Sequence, residues 1–110
     1  MIAWEQVADL RSEIGSDGFG EVIAMFLEET DEVITRLTER PDPAQIECDL
    51  HFLKGSALNL GFRELAGLCQ DGERRAALGD ARSVDIAAVV HSYHASKTAF
   101  QTGLARSSAA

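Results

Sequence analysis

The sequence predicts an all-α fold, an antiparallel up-and-down four-helix bundle with an additional short N-terminal helix. Apolar residues recur along the chain at spacings of three and four, which is the period of a helix and not of a strand. The two prolines, Pro41 and Pro43, lie together in one short segment. Four of the predicted helices are long, carry one apolar stripe each and follow one another after short connections. Such helices pack best as a bundle.

The first two predicted helices cover about residues 2–14 and 19–40. Glycine and polar residues at 15–18 break the first helix and offer an N-cap for the second. We expect the first helix to cover one end of the bundle. The apolar side chains of the two helices are Ala3, Val7, Leu10 and Ile14 in the first, and Phe19, Val22, Ile23, Phe26, Leu27, Val33, Ile34 and Leu37 in the second.

The third predicted helix runs from Pro43 to about Leu60. Asp42 can act as its N-cap, because proline is well tolerated at the first helical position that follows. Gly61 is expected to end the helix, since a left-handed glycine is the commonest residue just after a helix end. The apolar stripe of this helix consists of Ile46, Leu50, Leu53, Ala57 and Leu60.

The fourth and fifth predicted helices cover about residues 63–78 and 84–104, with Ser83 as the cap of the fifth. We expect residues 1–105 to form a single domain, since the chain of 110 residues has the usual size of one. Residues 106–110 are expected to be a flexible tail. The predicted buried positions are Leu65, Leu68, Cys69 and Ala76 in the fourth helix, and Ile86, Val90, Tyr93 and Phe100 in the fifth.

The composition narrows the classes of partner. A formal net charge of −8 argues against binding to nucleic acid or to an anionic membrane surface, because both would repel the protein. The chain has no basic segment followed by an apolar run at its start and no run of eighteen apolar residues, so we expect a cytoplasmic protein. Cys48 and Cys69 fit no metal-binding spacing and are expected to be small buried side chains in a reducing compartment.

His51 breaks the pattern of the third helix. At about 100° per residue it lies roughly 140° from the centre of the apolar stripe, so its side chain should point into solvent. The same arithmetic places Glu47, Cys48, Lys54, Gly55 and Leu58 on the exposed face around it.

Gly55 is an unusual residue for that face, because glycine inside an exposed helix costs about 1 kcal/mol relative to alanine. A position without a side chain beside His51 would let another protein approach the imidazole closely. Leu58, together with Phe62 if the helical face continues that far, could form a small apolar docking patch. Lys54 could offset a negative charge placed on the histidine.

Residues 51–61, HFLKGSALNLG, resemble the signature of the histidine phosphotransfer (Hpt) domain family, in which H-x-x-K-G-S/A is followed by L-G. The resemblance implies that His51 is phosphorylated, that Lys54 supports the phosphoryl group and that Gly55 makes room for the partner. It also places Glu73 where some members of the family hydrogen-bond the active imidazole. A carboxylate there could orient the ring nitrogen that is not phosphorylated.

The function implied by this resemblance is that of a phosphoryl carrier in a two-component phosphorelay. His51 would accept the group from an aspartyl phosphate on a response-regulator receiver domain and pass it to another receiver. The expected partners are receiver domains and a hybrid histidine kinase, and the expected oligomeric state is a monomer. The sequence has no Walker-type phosphate loop or kinase nucleotide motif, so we expect no kinase activity and no cofactor, with Mg²⁺ supplied by the receiver.

Three alternatives remain open at this stage. The chain could be a helical adaptor that binds receivers or kinases without carrying phosphate, although an adaptor needs neither the histidine nor the glycine. It could be the phosphotransfer domain of a histidine kinase. It could also be a metal-binding bundle, because His91 and His94 are three residues apart on one helix, but no Glu-x-x-His motif accompanies them.

Overall fold

A computed structural model describes residues 2–109, and the side chains of residues 2–106. The described chain forms five α-helices and one short 3₁₀ helix, Ala81–Ser83, between the last two of them. The α-helices are α1 (Trp4–Ile14), α2 (Ser16–Glu39), α3 (Ile46–Leu60), α4 (Arg63–Ala77) and α5 (Ile86–Ala109).

The four longer helices form a closed ring of neighbours. Helices α2 and α4 each pack against both α3 and α5, so α2 lies diagonally opposite α4. The connections are short, which makes consecutive helices antiparallel. Helix α1 packs against α2 and α3. The predicted fold class is confirmed.

Four helix starts differ from the prediction. Helices α1 and α2 begin at Trp4 and Ser16 and not at about residues 2 and 19, and Gly15 alone, with a φ of 94°, separates the two helices. Helix α3 begins at Ile46 and not at Pro43, because Asp42 caps a turn instead of the helix: its Oδ1 accepts a hydrogen bond from the Ala44 N–H at 3.0 Å. Helix α5 is capped by Asp85, whose Oδ1 accepts from the Ala88 N–H at 3.0 Å. The predicted cap of α5, Ser83, belongs to the preceding 3₁₀ helix.

Helix α5 also extends five residues beyond its predicted end at Leu104, to Ala109. Residues 106–109 of the expected flexible tail, 106–110, are therefore helical. Ala110 lies outside the described residues. That this tail is flexible stays a prediction.

The core confirms the stripe predicted for α3. Every member of that stripe is at most 4% exposed, and the stripe fixes which face of α3 turns to solvent. On α4 and α5, the largest fully buried side chains include Leu65, Tyr93 and Phe100. Helix α5 buries Val89, Ser92 and Ser96 in addition to Tyr93 and Phe100 of its predicted stripe. The other predicted buried positions of the last two helices, Leu68, Ala76, Ile86 and Val90, are only partly buried.

The turn between α3 and α4 depends on Gly61. Its φ of 77° is left-handed, and a Cβ there would lie 2.7 Å from the carbonyl oxygen of Ala3. The Ala3 N–H donates to the Gly61 carbonyl at 2.7 Å, and the Phe62 N–H donates back to Ala57 at 2.8 Å, which is the bond that closes a left-handed helix end. The start of the chain is thus tied to the end of α3.

The same turn corrects the expectation for Phe62. Because the chain reverses at Gly61, Phe62 does not continue the exposed face of α3 but enters the core, where it is 0% exposed. Its ring packs edge-on against Phe100, with centroids 5.5 Å apart, and lies 6.4 Å from the ring of Tyr93. The expectation that Phe62 lies on an exposed docking patch is wrong.

Helix α1 is attached to α5 by an aromatic contact. The Trp4 indole stacks on Phe100, with ring centroids 6.0 Å apart and planes 10° from parallel. Gly103 leaves room for the indole, since a Cβ at position 103 would overlap it. Trp4 nevertheless remains 41% exposed.

Helices α2 and α5 are joined by a polar cluster centred on Asp31. Its carboxylate accepts hydrogen bonds from the Tyr93 hydroxyl and from Lys97 Nζ, the latter at 2.9 Å from Oδ2. Burial acts to raise the pKa of Asp31, but these two donors outweigh it and hold the pKa below its ordinary value. The buried Tyr93 hydroxyl thus has a hydrogen-bond acceptor, and the cluster links α5 to α2.

Candidate functional site

His51 lies on the face of α3 that turns away from the core. Its side chain is 70% exposed, whereas its neighbours in the chain on the inner face, Leu50 and Leu53, are fully buried. The exposure predicted from helical spacing is confirmed. A histidine held this way can be reached by another protein without any movement of the bundle.

Glu73 of α4 connects His51 to Lys54. Its Oε1 lies 2.8 Å from His51 Nδ1, and its Oε2 lies 2.8 Å from Lys54 Nζ. The contact with Lys54 is an ion pair whose angles lie outside hydrogen-bond geometry. His51 and Lys54 of α3 and Glu73 of α4 therefore form one constellation of contacting side chains.

Gly72 explains why Glu73 comes so close to α3. A Cβ at position 72 would lie 2.7 Å from Leu50 Cδ1 and 3.0 Å from Val84 Cγ1, so a larger residue would force these side chains to shift, whereas glycine lets α4 pack tightly. The next residue along α4 then reaches the imidazole. Sequence analysis missed Gly72, and the signal that could have found it was a glycine inside the predicted fourth helix.

The charge on Glu73 is favoured by its surroundings. The contact with Lys54 is the largest cause that lowers the pKa of Glu73 from its ordinary value; burial opposes it, and the hydrogen bond with His51 adds to it. Glu73 is therefore a carboxylate at neutral pH, and a carboxylate can only accept hydrogen bonds. The ring of His51 must donate from Nδ1 to make the observed contact.

In a neutral imidazole, this assignment of the ring proton leaves Nε2 of His51 with its lone pair. Within residues 2–106, no side chain or backbone group bonds to Nε2. An imidazole that donates from one nitrogen and presents the other, unprotonated, to solvent is a nucleophile. The arrangement can attack an electrophilic phosphorus that a partner brings to the exposed side.

Three further predicted residues lie on the open surface around His51. Gly55 is exposed, and a Cβ at that position would meet nothing within 4 Å, so no neighbouring helix explains the glycine. Leu58 is 57% exposed. Glu47 is exposed one turn before His51. Phe52, which sequence analysis did not consider, adds an aromatic ring that is 38% exposed.

Asp49, two residues before His51, was also missed and has a structural role. Its side chain is 9% exposed and lies 2.6 Å from the guanidinium of Arg36 on α2. A nearly buried carboxylate needs such a partner, because an unpaired one would be strongly destabilising. The pair fixes the start of α3 against α2, and so holds the helix that carries His51.

The two cysteines differ from each other, and only Cys69 agrees with the prediction. Cys48 is exposed, because it lies three residues from His51 on the same outer face of α3. The expectation that it is buried is wrong. Cys69 is buried as predicted, and burial raises the pKa of its thiol to about 12. Cys69 therefore stays protonated and unreactive.

The described residues contain neither a membrane-spanning helix nor a group of metal ligands. Over the part of the chain that the structure describes, no helix is long and apolar enough to cross a bilayer. His91 and His94 both lie exposed on α5. Among residues 2–109, no three His, Cys, Asp or Glu side chains are grouped as the ligands of a metal ion would be.

Comparison with known proteins gives one finding. The family model of the Hpt domain matches residues 21–110, which is nearly the whole chain and includes α3, α4, α5 and all but the first five residues of α2. Searches of curated proteins and of solved structures find no significant match.

Proposed function

Because the chain belongs to the Hpt domain family, we propose that it carries a phosphoryl group on His51 between the receiver domains of a phosphorelay. One observation supports this most strongly: Glu73 holds His51 through Nδ1 and leaves Nε2 exposed. Proteins of this family are phosphoryl carriers in two-component signalling. The particular donor, the acceptor and the use of Nε2 are parts of our proposal.

The proposed transfer conserves atoms and charge. Nε2 of His51 attacks the phosphorus of an aspartyl phosphate on a receiver domain, the bond between phosphorus and the aspartyl oxygen breaks, and the aspartyl carboxylate leaves with the electron pair. The ring becomes positively charged and keeps its proton on Nδ1, facing Glu73. The reverse sequence passes the group to a second receiver. The Mg²⁺ that neutralises the phosphoryl oxygens is expected on the receiver, and no ligand for it is assigned to this chain.

Lys54 has two tasks in this proposal. Its ammonium lies against Glu73 and keeps that carboxylate charged and in place. It is also one helical turn from His51, so it can offset part of the negative charge that the phosphoryl group brings. Its side chain is only 26% exposed, which keeps it near the site when the partner leaves.

The docking surface comprises Gly55, Leu58 and Glu47, all of them exposed around His51. Leu58 offers the apolar contact that a small transient interface needs, and Glu47 can steer a partner by charge. Gly55 lets the partner's backbone approach the imidazole. We place this exchange in the cytoplasm, with a monomeric carrier that serves receiver domains and a hybrid histidine kinase.

The test is a transfer assay with the full chain. It is mixed with a purified receiver domain that carries a labelled aspartyl phosphate, and the label on the chain is then treated with acid and with base. We expect a label that is labile in acid and stable in base, and phosphorus NMR should place it on Nε2 of a histidine. A chain that forms a complex with the phosphorylated receiver yet gains no label, or gains an acid-stable one, contradicts the proposal.

Glu73→Ala should slow the transfer by about tenfold, since a charge-assisted hydrogen bond of this kind is worth about 1.4 kcal/mol. Without the acceptor, the ring proton of His51 is no longer held on Nδ1 and redistributes between the two nitrogens. Nitrogen NMR of the ring measures that change directly. The matched control is Glu64→Ala, an exposed glutamate on the same helix, which should keep both the rate and the ring proton unchanged. An unchanged ring proton in Glu73→Ala would remove the orienting role.

Gly55→Leu should slow transfer by at least about tenfold, because the new side chain occupies the space through which the receiver approaches. The helix itself should gain up to about 1 kcal/mol, since leucine favours a helix over glycine. The control is Gly67→Leu, because Gly67 is also exposed with nothing within 4 Å of its Cβ position, but lies on α4 away from His51. Transfer rates and thermal melts should separate the two variants. Equal rates would contradict the access argument.

A further inference from the structure

Helix α5 differs in charge from the rest of the molecule. All 18 acidic residues of the chain come before position 86, so α5 carries none of them. Its cations are Lys97, which Asp31 of α2 neutralises, and Arg106. One side of a protein with a net charge of −8 therefore lacks negative charge. The proposed function makes no use of this side.

A groove of about 570 Å³ lies between α1 and the C-terminal part of α5, and we call it the α1–α5 groove. Trp4, Val7 and Leu104 give it an apolar lining, and Arg11 and Arg106 stand beside them. The volume falls within the range of sites that hold a small molecule or a few side chains. None of these residues belongs to the constellation of His51, Lys54 and Glu73.

The two guanidinium groups of the groove are not neutralised. Six of the ten lysine and arginine side chains form ion pairs with carboxylates of the described chain, and Arg11 and Arg106 are among the four that do not. Arg11 lies over the ring of Phe19, 4.5 Å from its centroid, which holds the cation in place without cancelling its charge. An anion in the groove would meet two cations, Arg11, which the ring of Phe19 supports, and Arg106.

The carboxylates of α1 are directed elsewhere. Positions 4, 7, 8 and 11 share one helical stripe. The carboxylates at positions 5, 9 and 13 lie about 100° or more around the helix from the centre of that stripe. Glu5 is also engaged by Arg63. The groove thus combines an apolar floor with two free cations and has no carboxylate of its own among its lining residues.

We propose that the α1–α5 groove binds an acidic peptide segment of a partner protein. An apolar side chain of the segment would pack on Trp4 and Leu104, and carboxylates on either side would pair with Arg11 and Arg106. A peptide is favoured over an anionic membrane, because the net charge of −8 repels an extended anionic surface but allows one short segment to reach a local cationic groove. Two exposed ion pairs and one buried apolar side chain correspond to a dissociation constant on the order of 1 mM.

Trp4 is the single tryptophan of the chain and lines the groove, so its fluorescence reports on occupancy. The full chain is titrated with the acetylated and amidated tetrapeptide Glu-Leu-Phe-Glu, and in parallel with Gln-Leu-Phe-Gln. We expect a saturable change for the acidic peptide and binding at least about fivefold weaker for the neutral one. Equal binding of the two peptides, or no saturable change with either, overturns the proposal.

Variants locate the site. Arg106→Gln should weaken binding of the acidic peptide at least about threefold, and Arg82→Gln, an exposed arginine outside the groove, should leave it unchanged. Phosphatidylglycerol vesicles that change the Trp4 emission where the peptide does not would assign the groove to a lipid surface and reject the peptide. His51→Gln should bind the peptide as the wild type does. Loss of peptide binding with phosphoryl transfer intact therefore rejects this inference alone.

Discussion

Glutamine in place of His51 abolishes phosphoryl transfer to the chain and leaves the fold intact. The nucleophile of the proposed reaction is Nε2, and a glutamine amide has no basic lone pair to replace it. We expect the label to fall at least about 10³-fold, to the background of the assay, because the other nitrogen of the constellation, Lys54 Nζ, is an ammonium paired with Glu73 and has no lone pair for the attack. The side chain is 70% exposed, so the melting temperature should stay within about 2 °C of the wild type.

Two other histidines provide the controls for that variant. His91→Gln and His94→Gln change exposed histidines on α5 and should both accept label at the wild-type rate. The same set distinguishes a carrier from an adaptor, since an adaptor would bind the receiver equally well with either residue at position 51 and would never become labelled. Label on His51→Gln equal to that on the wild type would show that the phosphoryl group sits elsewhere.

Phe62→Ala lowers the free energy of unfolding by about 3–5 kcal/mol, the usual cost of removing a fully buried aromatic ring. Phe62 is 0% exposed and contacts both Tyr93 and Phe100, so the substitution leaves a cavity that these rigid rings cannot fill. Urea denaturation followed by circular dichroism measures the change. The control is Phe52→Ala, because Phe52 is 38% exposed and should cost less than about 1.5 kcal/mol.

This pair of phenylalanines also separates packing from docking. If Phe62 belonged to the docking surface, its alanine variant would slow transfer and lose little stability. The structure leads us to expect the reverse: a large loss of stability, with transfer preserved at temperatures where the variant is folded. A loss of less than about 1 kcal/mol for Phe62→Ala would contradict the burial described above.

The exposure of His51 and the identity of the core could be predicted because both depend on one helix at a time. The period of the α3 stripe, from Ile46 to Leu60, fixes which residues of the same helix turn outward. The exposed position of Gly55 follows from the same arithmetic. The motif at 51–61 added the chemistry, since periodicity alone does not distinguish a reactive histidine from an ordinary surface one.

Contacts between helices were harder to predict. The hydrogen bond between Glu73 and His51 depends on how closely α4 approaches α3. That approach depends on the contact between Gly72 and Leu50. The family resemblance placed Glu73 near the ring but gave no reason for the distance. Phe62 was misplaced because helical arithmetic assumes that the helix continues, whereas Gly61 has a positive φ and reverses the chain.

Helix ends were the other weak point. Both Ser83 and Asp85 are good N-cap residues, and the sequence contains no feature that ranks them. The structure selects Asp85 because a 3₁₀ turn occupies residues 81–83. In the same way Asp42 and Pro43 fit a helix start and a turn equally well, and the turn is what forms.

Glu73 keeps one proton on the ring of His51, and this makes the proposed exchange neutral with respect to protons. The ring enters the reaction with hydrogen on Nδ1 and leaves it with the same hydrogen, so the positive charge gained by the ring balances the carboxylate released on the receiver. No proton is taken from water or returned to it. For a ring in this state, the ratio of phosphorylated carrier to phosphorylated receiver is set by the amounts of the two proteins and by the relative stability of the two phosphoryl bonds, and no proton enters the balance.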